Sequence, residues 1–167
     1  MEKQRFVDKI ALVTGGANGL GRGMVDQLVK EGAQVAVFDI EDGTMEEAFA
    51  HNDRVCCLHC DVRDYDQVQK GVQDVIERYG RIDVLMNNAG IIHRQGFLEC
   101  SKEGWLDVMD TNLNGVFYVG QAVARTMVDL GVEGHIVNTC SNTSRKTVAG
   151  VTPYGPSKAG VKMLTQI

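Results

Sequence analysis

Short apolar runs rich in β-branched residues alternate along this chain with longer segments whose apolar residues recur at helical spacing, a rhythm that few folds accommodate. Residues 9–14 (K-I-A-L-V-T), closed by Gly15 and Gly16, read as a buried strand. Residues 21–31 place Met24, Val25, Leu28 and Val29 on one helical face, and Gly32 ends that helix. A second strand follows at residues 33–38 (A-Q-V-A-V-F) with Asp39 at its carboxyl end, then a helix at 44–50 and a third strand at 54–60. Residues 64–79 repeat Val68, Val72, Val75 and Ile76 at helical spacing and are closed by Gly80. A fourth strand at 82–86 leads into N-N-A-G (87–90), a short helix at 102–110 and a longer one from about 112 to 130. A fifth strand at 135–139 and a helix at 154–167 complete the chain. This order predicts an α/β fold: a doubly wound parallel sheet of about five strands in three layers, with right-handed crossovers. No repeat or linker interrupts it, so residues 1–167 read as one domain.

Charge narrows the partners. A formal net charge of -5 without a basic stripe argues against nucleic acid. No 18 apolar residues run together, and the apolar run after the charged start is too short for a signal peptide, so no membrane partner is expected and the cytoplasm is the expected place. Five cysteines, an odd number, fit a reducing compartment. Cys57 and Cys60 have C-x-x-C spacing, but on a strand they point to opposite faces and no second ligand pair is present, so no metal is expected.

Between the first strand and the first helix lies T-G-G-A-N-G-L-G (14–21), with Gly15, Gly19 and Gly21 spaced as T-G-x-x-x-G-x-G. In a doubly wound sheet this turn brings backbone N–H groups and a helix N-terminus to a pyrophosphate. Asp39, 18 residues beyond Gly21, stands where a carboxylate accepts from a ribose 2′-OH and repels a 2′-phosphate. NAD is therefore expected as cofactor, in preference to NADP; the plainer account of Asp39 is a turn cap. Asp61 and Val62, after the third strand, have the same alternatives of adenine contact and strand-end cap.

Tyr154 and Lys158 stand at i and i+4, so a helix puts phenol and ammonium on one face. A cation beside a phenol favours the phenolate, which suits proton transfer near neutral pH. Pro153 and Pro156 place the pair in a first helical turn after a loop. Taken alone, the pair is better read as a solvated helix face.

Several motifs in order change that reading, because together they resemble the short-chain dehydrogenase/reductase family along the whole chain. T-G-G-A-N-G-L-G resembles that family's cofactor loop, Asp61-Val62 its adenine contact, N-N-A-G the motif after its fourth strand, and N-L-N-G-V-F from Asn112 the segment bearing its active-site asparagine. I-V-N-T-C-S (136–141) resembles the strand leading to its active-site serine, and Ser141 stands 13 residues before Tyr154 in Y-G-P-S-K. The resemblance implies a Rossmann-type fold and an NAD-dependent oxidoreductase acting on a secondary alcohol or ketone. Its catalytic residues would be Asn112, Ser141, Tyr154 and Lys158. Tyr154 would move the proton, Lys158 would hold the nicotinamide ribose, Ser141 would orient the substrate oxygen, and Asn112 would hold a relay water. It also implies cofactor contacts at Gly15, Asn18, Gly19, Leu20, Gly21, Asp39, Asp61, Val62, Asn88, Ala89, Gly90, Tyr154 and Lys158, and a homodimer or homotetramer. N-N-A-G-I-I-H-R (87–94) is similar to family members acting on sugar acids such as gluconate and deoxygluconate, which makes His93 and Arg94, with Ser141 and Tyr154, the substrate candidates. Arg145 and Lys146 in the loop 142–152 are expected near the same pocket.

Family members continue beyond the helix at Tyr154 with a sixth strand, a turn against the nicotinamide and a substrate-covering segment. With these C-terminal strands missing, the fifth strand is expected at a sheet edge with its apolar face partly bare, and the chain reads as part of a longer protein. The alternatives to the oxidoreductase are a dinucleotide-binding module or subunit without turnover, and a dehydratase or epimerase built on the same Tyr/Lys pair.

Overall fold

The computed structural model describes residues 4–146 and 148–167. Among the described residues five parallel strands form one sheet in the order β3-β2-β1-β4-β5, with β1 Ile10–Thr14, β2 Gln34–Asp39, β3 Val55–His59, β4 Val84–Asn87 and β5 His135–Asn138. Every residue of β1 is buried, as a strand covered on both faces must be. Its side chains alternate between two cores. Ala11 and Val13 pack with Val25 and Leu28 of α1 (Gly19–Lys30) and Met45 and Phe49 of α2 (Asp42–Phe49). Ile10 and Leu12 pack with Val68, Val72 and Val75 of α3 (Tyr65–Tyr79) and with Val119, Val123 and Met127 of α5 (Gly115–Asp129). The predicted three-layer α/β arrangement is therefore observed, and Cys57 and Cys60 fall on the two different cores, as strand alternation requires.

Local sequence sets where α3 begins and ends. The Asp64 carboxylate accepts from the backbone N–H groups of Asp66 and Gln67, and Gly80 stops the helix at φ 78°, a left-handed conformation that costs glycine nothing. At the amino end of the sheet the buried Asp83 carboxylate accepts from Ile10 N at 3.0 Å and Lys9 Nζ at 3.2 Å, and pairs with Arg81. Its backbone joins β1 and β5 through Asp83 N to Ile10 O (2.8 Å) and His135 N to Asp83 O (2.9 Å).

Two boundaries differ from the sequence reading in a way that matters. Helix α1 starts at Gly19, inside the glycine loop, so its N-terminus lies directly at the loop's surface. The two helices expected at 102–110 and from about 112 are joined: α4 (Lys102–Met109) runs through a π-helical turn at Asp110–Asn114 into α5. Asn112 thus sits inside a continuous helical column rather than at the start of a separate helix. Apolar periodicity of 3.6 residues does not register an extra residue in one turn. Strand β5 lies at the sheet edge with alternating exposure, and Val137 is 46% exposed, as expected for a partly bare edge. Helix α6 (Tyr154–Leu164) packs its Gly160 against Leu113 of the π turn.

Candidate active site

Strand order places β1 between β2 and β4, so the crossovers leave the carboxyl ends of β1 and β4 in opposite directions and open a crevice between them. A cavity of about 670 Å³ occupies that crevice. The glycine loop with the first turn of α1, the ends of β2 and β3, the loop after β4, Asp107 and Thr111 at the end of α4 and in the π turn, and the first turn of α6 with Thr139 wall it.

The glycine loop is held from two sides. Thr14, fully buried at the end of β1, accepts through Oγ1 from the backbone N–H groups of Asn88 and Ala89, both at 2.9 Å. Asn88 returns its Nδ2 to Thr14 O (3.3 Å) and Gly15 O (3.4 Å), and its Oδ1 accepts from Thr139 Oγ1 at 3.2 Å. The ends of β1, β4 and β5 are thereby tied together under the cavity. Asp39 fastens the other side: Oδ2 accepts from Ala17 N at 2.9 Å, while Oδ1 accepts from Ile40 N (2.8 Å) and Glu41 N (3.2 Å). The turn-cap account of Asp39 is met here, and the same side chain still lines the cavity. Gly21 permits the tight return of the loop, since a Cβ there would lie 1.9 Å from Gly15 O. Backbone N–H groups and the α1 N-terminus at this glycine-lined wall make a cradle suited to a phosphate-bearing ligand.

All the residues read as cofactor contacts line this cavity: Gly15, Asn18, Gly19, Leu20 and Gly21 on the loop, Asp39, Asp61 and Val62 at strand ends, Asn88, Ala89 and Gly90 after β4, and Tyr154 and Lys158 on α6. Asp61 is engaged by Arg63, which lines the same cavity and whose guanidinium beside it holds the carboxyl below the usual carboxylate range. Val62 is buried beneath Gly115 at the start of α5.

Tyr154 opens α6 and Lys158 lies one turn on, its Nζ 5.8 Å from the Tyr154 ring centroid. Lys158 is 3% exposed and donates to Thr139 O at 2.8 Å, and no carboxylate pairs with it among the described residues. Burial pushes its ammonium down from the ordinary lysine range. A buried cation facing a cavity with one neutral acceptor has hydrogen-bonding capacity left for a ligand.

Asn112, Ser141, His93 and Arg94 do not line the cavity. Asn112 is fully buried behind it: Oδ1 accepts from Ile91 N (2.8 Å), and Nδ2 donates to Ile91 O (2.9 Å) and Ser157 Oγ (3.3 Å). It therefore pins the loop after β4 and helix α6 to the π turn. Ser141 caps a 3-10 turn at Asn142–Ser144 by accepting from Thr143 N at 3.2 Å, which leaves its hydroxyl proton free to donate. His93 Nε2 lies 2.7 Å from Asp107 Oδ2, and Arg94 is exposed. Arg145 and Lys146 line a second cavity of about 840 Å³ with Trp105, Gly155 and Pro156, on the neighbouring face of the first turn of α6.

Sequence reasoning missed four residues that organise the site. Thr14 stands inside the quoted glycine motif and Ser157 inside Y-G-P-S-K, so both carried a signal. Ser157, fully buried, donates to Tyr154 O at 2.8 Å and receives Asn112. Arg63 and Asp107 pair across 44 positions and no local pattern announces them.

The chain is similar to gluconate 5-dehydrogenase of Gluconobacter oxydans (strain 621H), 40% identical over 160 residues that cover 93% of this chain and 62% of that one. It is 35% identical over 161 residues to 2-dehydro-3-deoxy-D-gluconate 5-dehydrogenase of Escherichia coli (strain K12), covering 95% of this chain and 64% of the relative. The chain thus spans somewhat under two thirds of the length of these relatives, which carry the names of the sugar-acid branch that N-N-A-G-I-I-H-R resembles. A solved short chain dehydrogenase/reductase from Burkholderia phymatum in complex with NAD superposes with a TM-score of 0.91 at 28% identity, over 96% of this chain and 59% of that one. The family described as short chain dehydrogenase matches across residues 9–167, and the chain belongs to that family of oxidoreductases.

Proposed function

We propose that the crevice binds NAD and that the protein exchanges a hydride between it and a secondary alcohol or ketone, with a sugar acid or polyol as substrate. The observation that carries this reading is one cavity bounded at one wall by the glycine loop and Asp39 and at another by Tyr154 and Lys158. When bound there, the dinucleotide supplies the hydride acceptor or donor. The glycine loop and the α1 N-terminus bind the pyrophosphate, and Asp39 accepts from a ribose 2′-OH while repelling a 2′-phosphate. Lys158, already desolvated, hydrogen-bonds the nicotinamide ribose and favours the Tyr154 phenolate. Tyr154 takes the proton from the substrate hydroxyl in oxidation and returns it in reduction, and the Ser141 hydroxyl donates to the same oxygen. Asn112, through the π turn, holds the water that relays the proton from Lys158 outward. The names of the two relatives support a sugar acid as the substrate, and His93 and Arg94, on the loop after β4, are the proposed partners of its carboxylate or hydroxyls.

Exposed apolar residues on α5 and α6, among them Phe117 (42%), Val128 (79%) and Met163 (62%), support pairing of copies through these helices into a dimer or tetramer. No helix among the described residues is long and apolar enough to cross a membrane, and a cytoplasmic place is part of this proposal. The test titrates the purified chain with NADH and NADPH by fluorescence and assays it with NAD on gluconate, deoxygluconate and polyols. Binding of NADH at least tenfold tighter than NADPH, with turnover on one of these alcohols, is expected; equal binding of both sinks the Asp39 assignment.

A further inference from the structure

On the β3 side of the crevice, three segments distant in sequence meet through side chains alone. Arg63 forks between two carboxylates: its Nε lies 2.9 and 3.0 Å from the oxygens of Asp61 and its Nη2 2.6 Å from Asp61 Oδ2, while its Nη1 donates to Asp107 Oδ1 at 2.9 Å. The other oxygen of Asp107 takes His93 Nε2 at 2.7 Å, and the backbone carbonyl of Asp107 accepts from Thr111 Oγ1 at 2.8 Å. Asp107, on the last turn of α4, thus binds the loop after β3 and the loop after β4 at once. Asp61, Arg63, Asp107 and Thr111 all line the cavity.

We propose that Asp107 is a positioning residue for the adenosine half of the bound dinucleotide, acting through Arg63. This rests on the dinucleotide reading above. Asp39, Asp61 and Val62 mark the β2–β3 side as the adenosine end, and Tyr154 and Lys158 stand across the switch point on the β5 side. The side chains of the network are 23% to 43% exposed, so their ion pairs add little to global stability. Their effect falls instead on the wall. Loops already fixed in place lose less entropy when a ligand binds, and that saving appears as affinity. The bidentate Arg63–Asp61 contact gives the wall its geometry, and Asp107 keeps the guanidinium in the plane where it can serve both partners.

The experiment compares wild type, Asp107→Asn, Asp107→Glu, Arg63→Ala and the Asp107→Asn/Arg63→Ala pair by calorimetric titration with NADH and with AMP, alongside thermal melts. Asp107→Asn keeps the shape and removes the charge. It is expected to weaken NADH and AMP by the same factor, about five- to tenfold, with the melting temperature unchanged within about 2 °C. Asp107→Glu restores part of the loss, and the double variant binds no worse than Arg63→Ala, because both changes break one network. Unchanged AMP affinity in Asp107→Asn, or losses that multiply in the double variant, overturns the assignment. Failure of the wild type to bind either ligand overturns the dinucleotide reading itself and this proposal with it, so the two failures are distinct.

Discussion

The two ends of the sheet each bury a charge, and they treat it in opposite ways. At the amino end Asp83, 3% exposed, is met by a backbone N–H, a lysine and an arginine, and its carboxyl is held below the ordinary range: burial alone would raise it, but Ile10 N, Arg81 and Lys9 outweigh that. At the carboxyl end Lys158, equally buried, is met by one backbone carbonyl, and burial wins. A charge surrounded by partners holds strands in register. A charge left short of partners costs stability, and a fold keeps it where a ligand completes its surroundings.

Replacing Tyr154 by Phe breaks the carboxyl end at its chemistry while leaving its architecture, and carries the largest expected effect. Turnover should fall by about a thousandfold or more, with NADH affinity within about twofold of wild type. Steady-state rates and a fluorescence titration on the same preparation check it, and a variant retaining full turnover removes Tyr154 from proton transfer.

Asp83→Asn tests the amino end. Losing a buried, paired carboxylate should cost about 2–3 kcal/mol of stability at pH 7 in urea unfolding, with NADH binding unaltered. The sign with pH follows from the lowered folded-state pKa. The contribution is present above the unfolded value near 3.9 and lost as pH falls through the folded value, so the gap between wild type and variant should close in acid. A gap of constant size from pH 7 to strong acid would assign the loss to shape rather than charge.

Lys158→Met should move stability the other way. Removing a desolvated ammonium is expected to stabilise the chain by about 1 kcal/mol at pH 7 while weakening NADH and abolishing turnover. Because burial lowers the folded pKa, the unfolded chain binds more protons in the window just below about 10.4, and wild-type stability rises with pH there. The advantage of the methionine variant should therefore shrink as pH approaches that value. A less stable methionine variant would mean that Lys158 belongs with Asp83 as a structural charge, and the comparison would fail.

The same contrast explains what the sequence could and could not convey. Strands, helices, the glycine loop and the Tyr154–Lys158 spacing rest on patterns local to one element, and each was legible. Asn112 was legible as a residue but not its setting, because a π turn adds one residue without disturbing the apolar face. The Asp83 cluster could not be read, since Lys9 and Arg81 are ordinary surface residues until β1 and β4 pair. Arg63 and Asp107 meet only because the fold brings the last turn of α4 to the loop after β3, a tertiary fact with no periodicity of its own.

The smallest effect sharpens the carboxyl end residue by residue. Glycines continue past the glycine-rich segment into α1, but the structure separates Gly21 from Gly23. A Cβ at Gly21 collides with Gly15 O, whereas one at Gly23, exposed on the first turns of α1, meets nothing within 4 Å. Glycine in a helix costs about 0.5–1 kcal/mol relative to alanine, through the backbone freedom it gives up on folding. Gly23→Ala should therefore stabilise the chain by about that amount with NADH affinity unchanged, a gain at the site's own end with no cost in binding. Urea unfolding and NADH titration decide it. A loss of affinity would show that Gly23 serves the approach of the ligand, and would extend the under-compensated region one turn further along α1.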